Sequence, residues 1–185
     1  MPLQRSEWTL EMVHALPDDG NRYELIDGEL YVTSAPAFVH QRALAQLYRL
    51  LSPYADAIGI DLLFAPAAVT FSQRRELQPD LLAMPRTADG RLAEVFADVG
   101  RLLLAVEVLS PGTRRTDKRV KRPVYQEENV PEYWMIDTRS RSIERWTPGA
   151  TTPETLTFTL RWQPLPEHEA LTVNIEQYFR NVFDE

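Results

Sequence analysis

Two acidic residues stand where a charge is least at home. Glu107 lies within residues 101–109, RLLLAVEVL, in which every other residue after Arg101 is apolar. An ionised carboxylate buried alone costs several kcal/mol and would take up a proton instead. Glu107 must therefore meet a cation, a hydrogen-bond network or a metal, or else escape to solvent or an arginine at the strand end. Asp80 follows Pro79 and precedes Leu81, Leu82 and Ala83 in a second run of the same kind. Alone it reads equally well as a turn or cap residue. Two carboxylates on neighbouring buried strands, however, make a hard-oxygen site suited to Mg2+ or Mn2+.

Two further residues could serve those carboxylates. Asp117, Lys121 and Tyr125 are spaced four apart, so on a helix they share one face. Lys121 could stabilise a hydroxide nucleophile or developing charge beside the acids; it could also be half of an Asp–Lys surface pair. Glu24, between Tyr23 and Leu25, could complete a metal site or bind a coordinated water, or be an exposed hairpin residue. The cluster Arg114, Arg115, Lys118, Arg119 and Arg122 could grip a phosphate backbone, or form a solvated helix face that balances an acidic chain.

Periodicity supplies the elements that must position these groups. Thr9 can cap a short helix through Glu11, Met12 and Val13, ending at Leu16-Pro17. Residues 22–26 and 29–33 read as strands around Asp27-Gly28, a strong hairpin signal. From about His40 to Tyr54 the apolar residues fall on one helical face. Strands are expected at 67–72, at 77–84 and at 101–109, the last apolar on both faces as in a central buried strand. A basic helical region spans about 114–128. Strands at 132–137 and 142–147 flank a turn at 138–141, and a strand near 155–162 precedes a helix near 174–183. Trp8, Trp134, Trp146 and Trp162 are expected to pack the core.

Bulk composition narrows the classes. The 185 residues suit one domain spanning 1–185, with enough apolar material, 44%, for a sizeable core. No cysteine is present, which excludes disulfides, thiol catalysis and zinc–thiolate sites and makes the cytoplasm the default location. No run of 18 apolar residues occurs, so no membrane span is expected. The opening MPLQRSEWTLEM lacks the apolar stretch of a secretory signal. A net charge of −7 argues against non-specific coating of nucleic acid but leaves room for a local basic groove. His14, His40 and His168 lack zinc-like spacing. Neither a phosphate-binding glycine loop nor a Gly-x-Ser-x-Gly elbow is present.

Gln78-Pro79-Asp80, then VEVLSP at 106–111, then Asp117, Lys121 and Tyr125, then PEYWMID at 131–137 form an ordered set. With YELIDGEL at 23–30 and His40 before a helix, the set resembles the Uma2 family (DUF820) of the PD-(D/E)XK restriction-endonuclease-like superfamily, over roughly residues 8–180. The resemblance implies an α/β fold of α+β character, with a mixed sheet flanked by helices. It also implies Mg2+-dependent endonuclease activity on DNA. Asp80 and Glu107 match the metal ligands, and the Val108 backbone carbonyl is a further ligand by analogy. The superfamily lysine would fall two residues after Glu107, where this chain has Leu109; Lys121 matches the lysine that Uma2-type sequences carry on the following helix. Pro123 would clash with the Arg119 carbonyl in a regular helix. Either the helix kinks there or a helix starts near Pro123.

The resulting expectation is a nuclease in which Asp80 and Glu107 hold Mg2+ or Mn2+ and Lys121 assists. Two-fold pairing of sites would make it a homodimer or a higher homo-oligomer. A non-catalytic module that keeps this fold to bind nucleic acid or protein is the alternative. A hydrolase of small phosphoesters is a third reading.

Overall fold

The chain is described by a computed structural model over residues 7–185. Residues 1–6, part of the stretch read for a secretory signal, lie outside the described residues. The Thr9 hydroxyl accepts from the Met12 N–H at 3.3 Å and starts α1 (Leu10–His14). Asp27 and Gly28 adopt φ of 52° and 86°, the paired positive angles of a tight hairpin. They fold β1 (Arg22–Ile26) onto β2 (Glu29–Thr33). Helix α2 (Phe38–Ile58) is longer than its periodicity suggested; it accommodates Pro53 and ends at Gly59, which turns left-handed at φ 72°.

Next come β3 (Ile60–Phe64), β4 (Val69–Ser72), β5 (Arg75–Leu77), β6 (Leu81–Pro85) and β7 (Leu104–Val108). The basic region is one helical rod in three parts: α3 (Arg114–Thr116), a π-helical turn (Asp117–Lys121) and α4 (Arg122–Glu127). Strands β8 (Tyr133–Asp137), β9 (Ser142–Trp146), β10 (Glu154–Leu156), β11 (Thr159–Trp162) and β12 (Leu171–Asn174) follow, and α5 (Ile175–Phe183) closes the chain.

A six-stranded sheet runs in the order β10-β9-β8-β7-β6-β3, and a four-stranded sheet in the order β2-β1-β5-β4. Strands β7 and β8 pair in parallel, joined by the helical rod, while the other pairs are antiparallel. The mixed sheet flanked by helices is the expected fold class. Strand alternation sorts the core onto two sides. Leu81, Ala83, Leu104, Val106, Trp134 and Ile136 face α2, α5 and the β11-β12 ribbon. Leu82, Met84, Ala105, Tyr133 and Met135 face the four-stranded sheet and α4. Trp134 and Trp162 are buried and pack edge to face at 5.8 Å. No helix among the described residues is long and apolar enough to cross a membrane.

Three sequence expectations are corrected. The run at 77–84 is two strands in different sheets, broken at Gln78–Asp80, where Pro79 cannot donate to a ladder. The run at 155–162 likewise divides into β10 and β11. Strands β3 and β12 were not anticipated; each is short, and β3 is a sheet edge with mixed burial, which blurs its alternation.

Candidate active site

Asp80 sits in the break between β5 and β6, and three elements reach it. Arg22, the first residue of β1, places Nη1 at 2.8 Å from Oδ1 and donates from the same nitrogen to the Gln78 carbonyl at 2.9 Å. His40, in the first turn of α2, places Nε2 at 2.9 Å from Oδ2. A carboxylate only accepts, so the shared hydrogen belongs to Nε2. The Val108 N–H, at the end of β7, donates to Oδ2 at 2.8 Å. Burial alone would raise the Asp80 pKa; the His40, Arg22 and Val108 donors outweigh it and hold the carboxyl well below the usual range.

Glu107, the penultimate residue of β7, projects onto the face that carries Ala105 and Met135. There Lys121 reaches it, with Nζ at 2.9 Å from Oε1. The same ammonium lies 2.7 Å from Glu24 Oε2 and 3.8 Å from Asp117 Oδ1. Glu24 in turn accepts the Gln78 N–H at 2.8 Å, tying the four-stranded sheet to the Asp80 turn. All four acids and Lys121 are at most 3% exposed. Burial pushes the Glu107 carboxyl well up; Lys121 pulls it back, while Asp80, Asp117 and Glu24 push it further. Burial disfavours the charge on Lys121, but Glu107, Glu24 and Asp117 outweigh that and raise its pKa.

The π-helical turn resolves the Pro123 conflict. Pro123 has no N–H for the Arg119 carbonyl. The preceding Arg122 N–H donates five residues back to the Asp117 carbonyl, the widened spacing of a π turn. The rod continues into α4 with Pro123 in its first turn, where the missing donor is tolerated. Lys121 thus stays on the rod's inner face, buried rather than in a surface pair.

A cavity of about 530 Å³ opens over this cluster. Arg22, His40, Asp80, Val108, Asp117 and Lys121 line it, with 33–37 and 110–113 forming walls. Glu107 and Glu24 lie behind the Lys121 ammonium. Asp117 is held more loosely than the other three acids: both of its oxygens are buried, with the Lys121 ammonium 3.8 Å from Oδ1 and the Thr113 hydroxyl beside it. Burial lifts its pKa to about 6, against the pull of Lys121 and the nearby Thr113 hydroxyl.

Asp80, Glu107, Lys121, Glu24 and Val108 are therefore brought together. Glu24 is buried, not an exposed hairpin residue. The basic cluster is not brought to the cavity. Arg114 pairs with Asp137 at 2.7 Å, Lys118 pairs with Glu144, and Arg122 stacks 4.5 Å over Trp146 and bonds Gln126. Arg114 and Lys118 are thus neutralised by acids of β8 and β9, and Arg115 and Arg119 are left facing solvent.

Sequence reasoning missed Arg22 and gave Asp117 no role of its own. A signal for Arg22 existed: it stands two positions from Glu24, on the same face of a strand. A divalent cation suits this donor set. Glu24, Asp80, Glu107 and Asp117 are four hard carboxylates facing two permanent cations, Arg22 and Lys121, and Asp117 is the most loosely held of them, with Lys121 at 3.8 Å. Among the described residues no three His, Asp or Glu side chains already form a cage around an ion position. The acids are instead neutralised by the chain's own cations.

A sequence model of the Uma2 family, described as "putative restriction endonuclease", matches residues 10–184. Among solved structures the chain is similar to a "putative nuclease belonging to DUF820" from Anabaena variabilis ATCC 29413. The two share 18% identity with a TM-score of 0.71, over 95% of this chain and 99% of that one. At that identity the likeness is one of fold. No curated protein matches the chain.

Proposed function

The chain belongs to the Uma2 family, and from that membership and the site we propose that it is an endonuclease that hydrolyses DNA phosphodiester bonds with Mg2+ or Mn2+. The observation that carries the reading is the cluster of four buried carboxylates, Glu24, Asp80, Glu107 and Asp117, gathered around Lys121 and Arg22 where a cavity opens. Asp80, Glu107 and the Val108 carbonyl would hold the ion. When bound, a divalent ion acidifies a coordinated water and neutralises a scissile phosphate.

The chain's own groups prepare the rest. Arg22, His40 and the Val108 amide fix the Asp80 carboxylate in one orientation and keep it ionised. Burial opposes the Arg22 charge, but Glu107, Asp80 and Glu24 sustain it, so its guanidinium faces the cavity as a permanent cation. Lys121 supplies a second cation at the cavity floor, placed to stabilise negative charge on an attacking oxygen or a phosphate. Arg139 lines the cavity and, with the exposed Arg115 and Arg119, offers contacts to flanking phosphates.

One observation favours the non-catalytic alternative: both Asp80 oxygens already accept internal donors. The two readings separate in one experiment. Supercoiled plasmid, single-stranded DNA, RNA and a small phosphomonoester are each incubated with the protein in Mg2+, Mn2+ or chelator. The nuclease reading predicts metal-dependent nicking of the plasmid. Binding of nucleic acid without cleavage in either metal would select the non-catalytic module. Hydrolysis of the small ester alone would reject DNA as the substrate.

A further inference from the structure

We infer that the site takes a single strand of DNA, led across Asp80 with its bases stacked on two exposed aromatic rings, Phe38 and Phe64. The inference rests on the nuclease reading above and adds the form of the substrate and the residues that hold its bases.

The cavity over Asp80 has a neighbour. A second hollow, of about 400 Å³, is bounded like the first by Arg22, His40, Asp80 and the 33–36 segment, so the two adjoin at the carboxylate. A linear polymer can enter by one and leave by the other. At about 530 and 400 Å³ the hollows have the size of small-molecule sites, roughly 300–1,000 Å³. Duplex DNA does not enter spaces of that kind; it is bound by elements that project into its grooves. A single strand fits them.

An aromatic ring accompanies each hollow. Phe38 opens α2, and its neighbours Ala37 and Val39 line the larger cavity. Its side chain is 94% exposed in a fold that buries Tyr125, Trp134, Trp162 and Phe179. Val32 and Val39, also exposed, line the same cavity, so the ring belongs to an apolar lip rather than standing alone. Phe64 lines the second hollow; it is 41% exposed and braced by the Tyr48 ring, 5.0 Å away. The next residue, Ala65, donates its N–H to the Asp80 carbonyl at 3.3 Å, which fixes Phe64 beside the acid. Unpaired bases stack on such rings whatever their sequence. Bases in a duplex are stacked on one another and offer only their edges.

The charge of the chain agrees. At −7, with Arg22 and Arg139 at the larger cavity, ionic contacts to phosphate are few. Affinity must then draw on contacts that are not ionic, and base stacking supplies them.

The test is fluorescence anisotropy in Ca2+, which suppresses cleavage, with a labelled oligothymidylate of about 12 nucleotides and a labelled duplex of the same length. Wild type, Phe38→Ala, Phe38→Trp, Phe64→Leu and Phe158→Ala are compared; Phe158 is exposed but lines neither hollow. Wild type should bind the single strand about 10-fold or more tighter than the duplex, and Phe38→Ala and Phe64→Leu should each weaken that binding about 5-fold or more. The salt dependence should not change, because no charge is removed. Phe158→Ala should bind as wild type does, and Phe38→Ala, altered at an exposed position, should melt with wild type. Phe38→Trp should keep the affinity, and its added emission should be quenched by the oligothymidylate. Duplex binding as tight as that of the single strand overturns the inference, as does wild-type single-strand affinity in Phe38→Ala or Phe64→Leu; the nuclease reading then still stands. Wild-type affinity in Phe38→Ala together with a smaller sedimenting species also overturns it, because a second copy of the chain then covers the ring. If wild type binds neither DNA, the nuclease reading itself fails and the inference falls with it.

Discussion

Lys121 is the residue whose removal reveals most about the cluster. Its ammonium lies against Glu107 and Glu24, two acids sealed from water. Lys121→Met leaves both without a cation, so it should cost about 3–5 kcal/mol of stability, read as a fall in the urea midpoint. A midpoint within error of wild type would mean that the acids are protonated and need no partner. Asp117 sets a pH dependence. Its folded pKa, raised by burial, is about 6 against an ordinary 3.8. Below 3.8 both folded and unfolded chains hold the proton. As pH rises from there to about 6, only the unfolded chain releases it, so stability falls, by up to about 3 kcal/mol, and then levels off. Asp117→Asn in chelator should erase that part of the slope; urea midpoints at pH 4, 5, 6 and 7 for both proteins give the difference. The identities of Asp80, Glu107 and Lys121 were legible because a charge in an apolar run demands an explanation. The partnership of Arg22 with Asp80 was not, because the two are 58 residues apart and meet only when two sheets stack.

At the scale of elements, two devices aim the site. The β1–β2 hairpin brings Arg22 and Glu24 across from the smaller sheet, and its Asp27-Gly28 tip is where local sequence dictates geometry most strictly. Gly28→Ala forces a side chain into φ 86°, with its Cβ 3.1 Å from an Arg74 nitrogen. The expected cost is about 1–2 kcal/mol, a melting temperature lower by a few degrees, with Mn2+ affinity unchanged. A loss of affinity would show that the tip, and not only the strand, holds Glu24 in place. The π turn is the second device. Pro123 announced an irregularity in the sequence, but the choice between a kink, a restart and a widened turn depends on Lys121 being drawn to Glu107 across the sheet. The hairpin, α2, β7, β8 and α5 were readable from periodicity and turn chemistry. Strands β3 and β12 were not, since a short strand at an edge or in a two-stranded ribbon owes its state to its partner rather than to its own pattern.

At the scale of the whole molecule, the charge of −7 leaves few cations for the nucleic-acid binding that the proposed function requires. Three of the five clustered basic residues are engaged by Asp137, Glu144 and Trp146, leaving Arg115, Arg119 and the cavity-lining Arg139 exposed. Duplex binding, measured in Ca2+ to suppress cleavage, should therefore weaken with a log–log salt slope near −3, about 0.9 per phosphate neutralised for three arginines. A slope beyond about −6 would mean that the paired residues let go of their partners to grip the backbone. The central claim is that the buried acids at this cavity form the centre of a metal-dependent nuclease, and its most direct test is cleavage of supercoiled plasmid by wild type, Asp80→Ala and Glu107→Ala across a range of Mg2+ and Mn2+ concentrations. Wild type should nick the plasmid only with metal, and each variant should be slower by about 100-fold or more while remaining folded. Nicking that persists in chelator, or that survives both substitutions at the wild-type rate, would contradict the account.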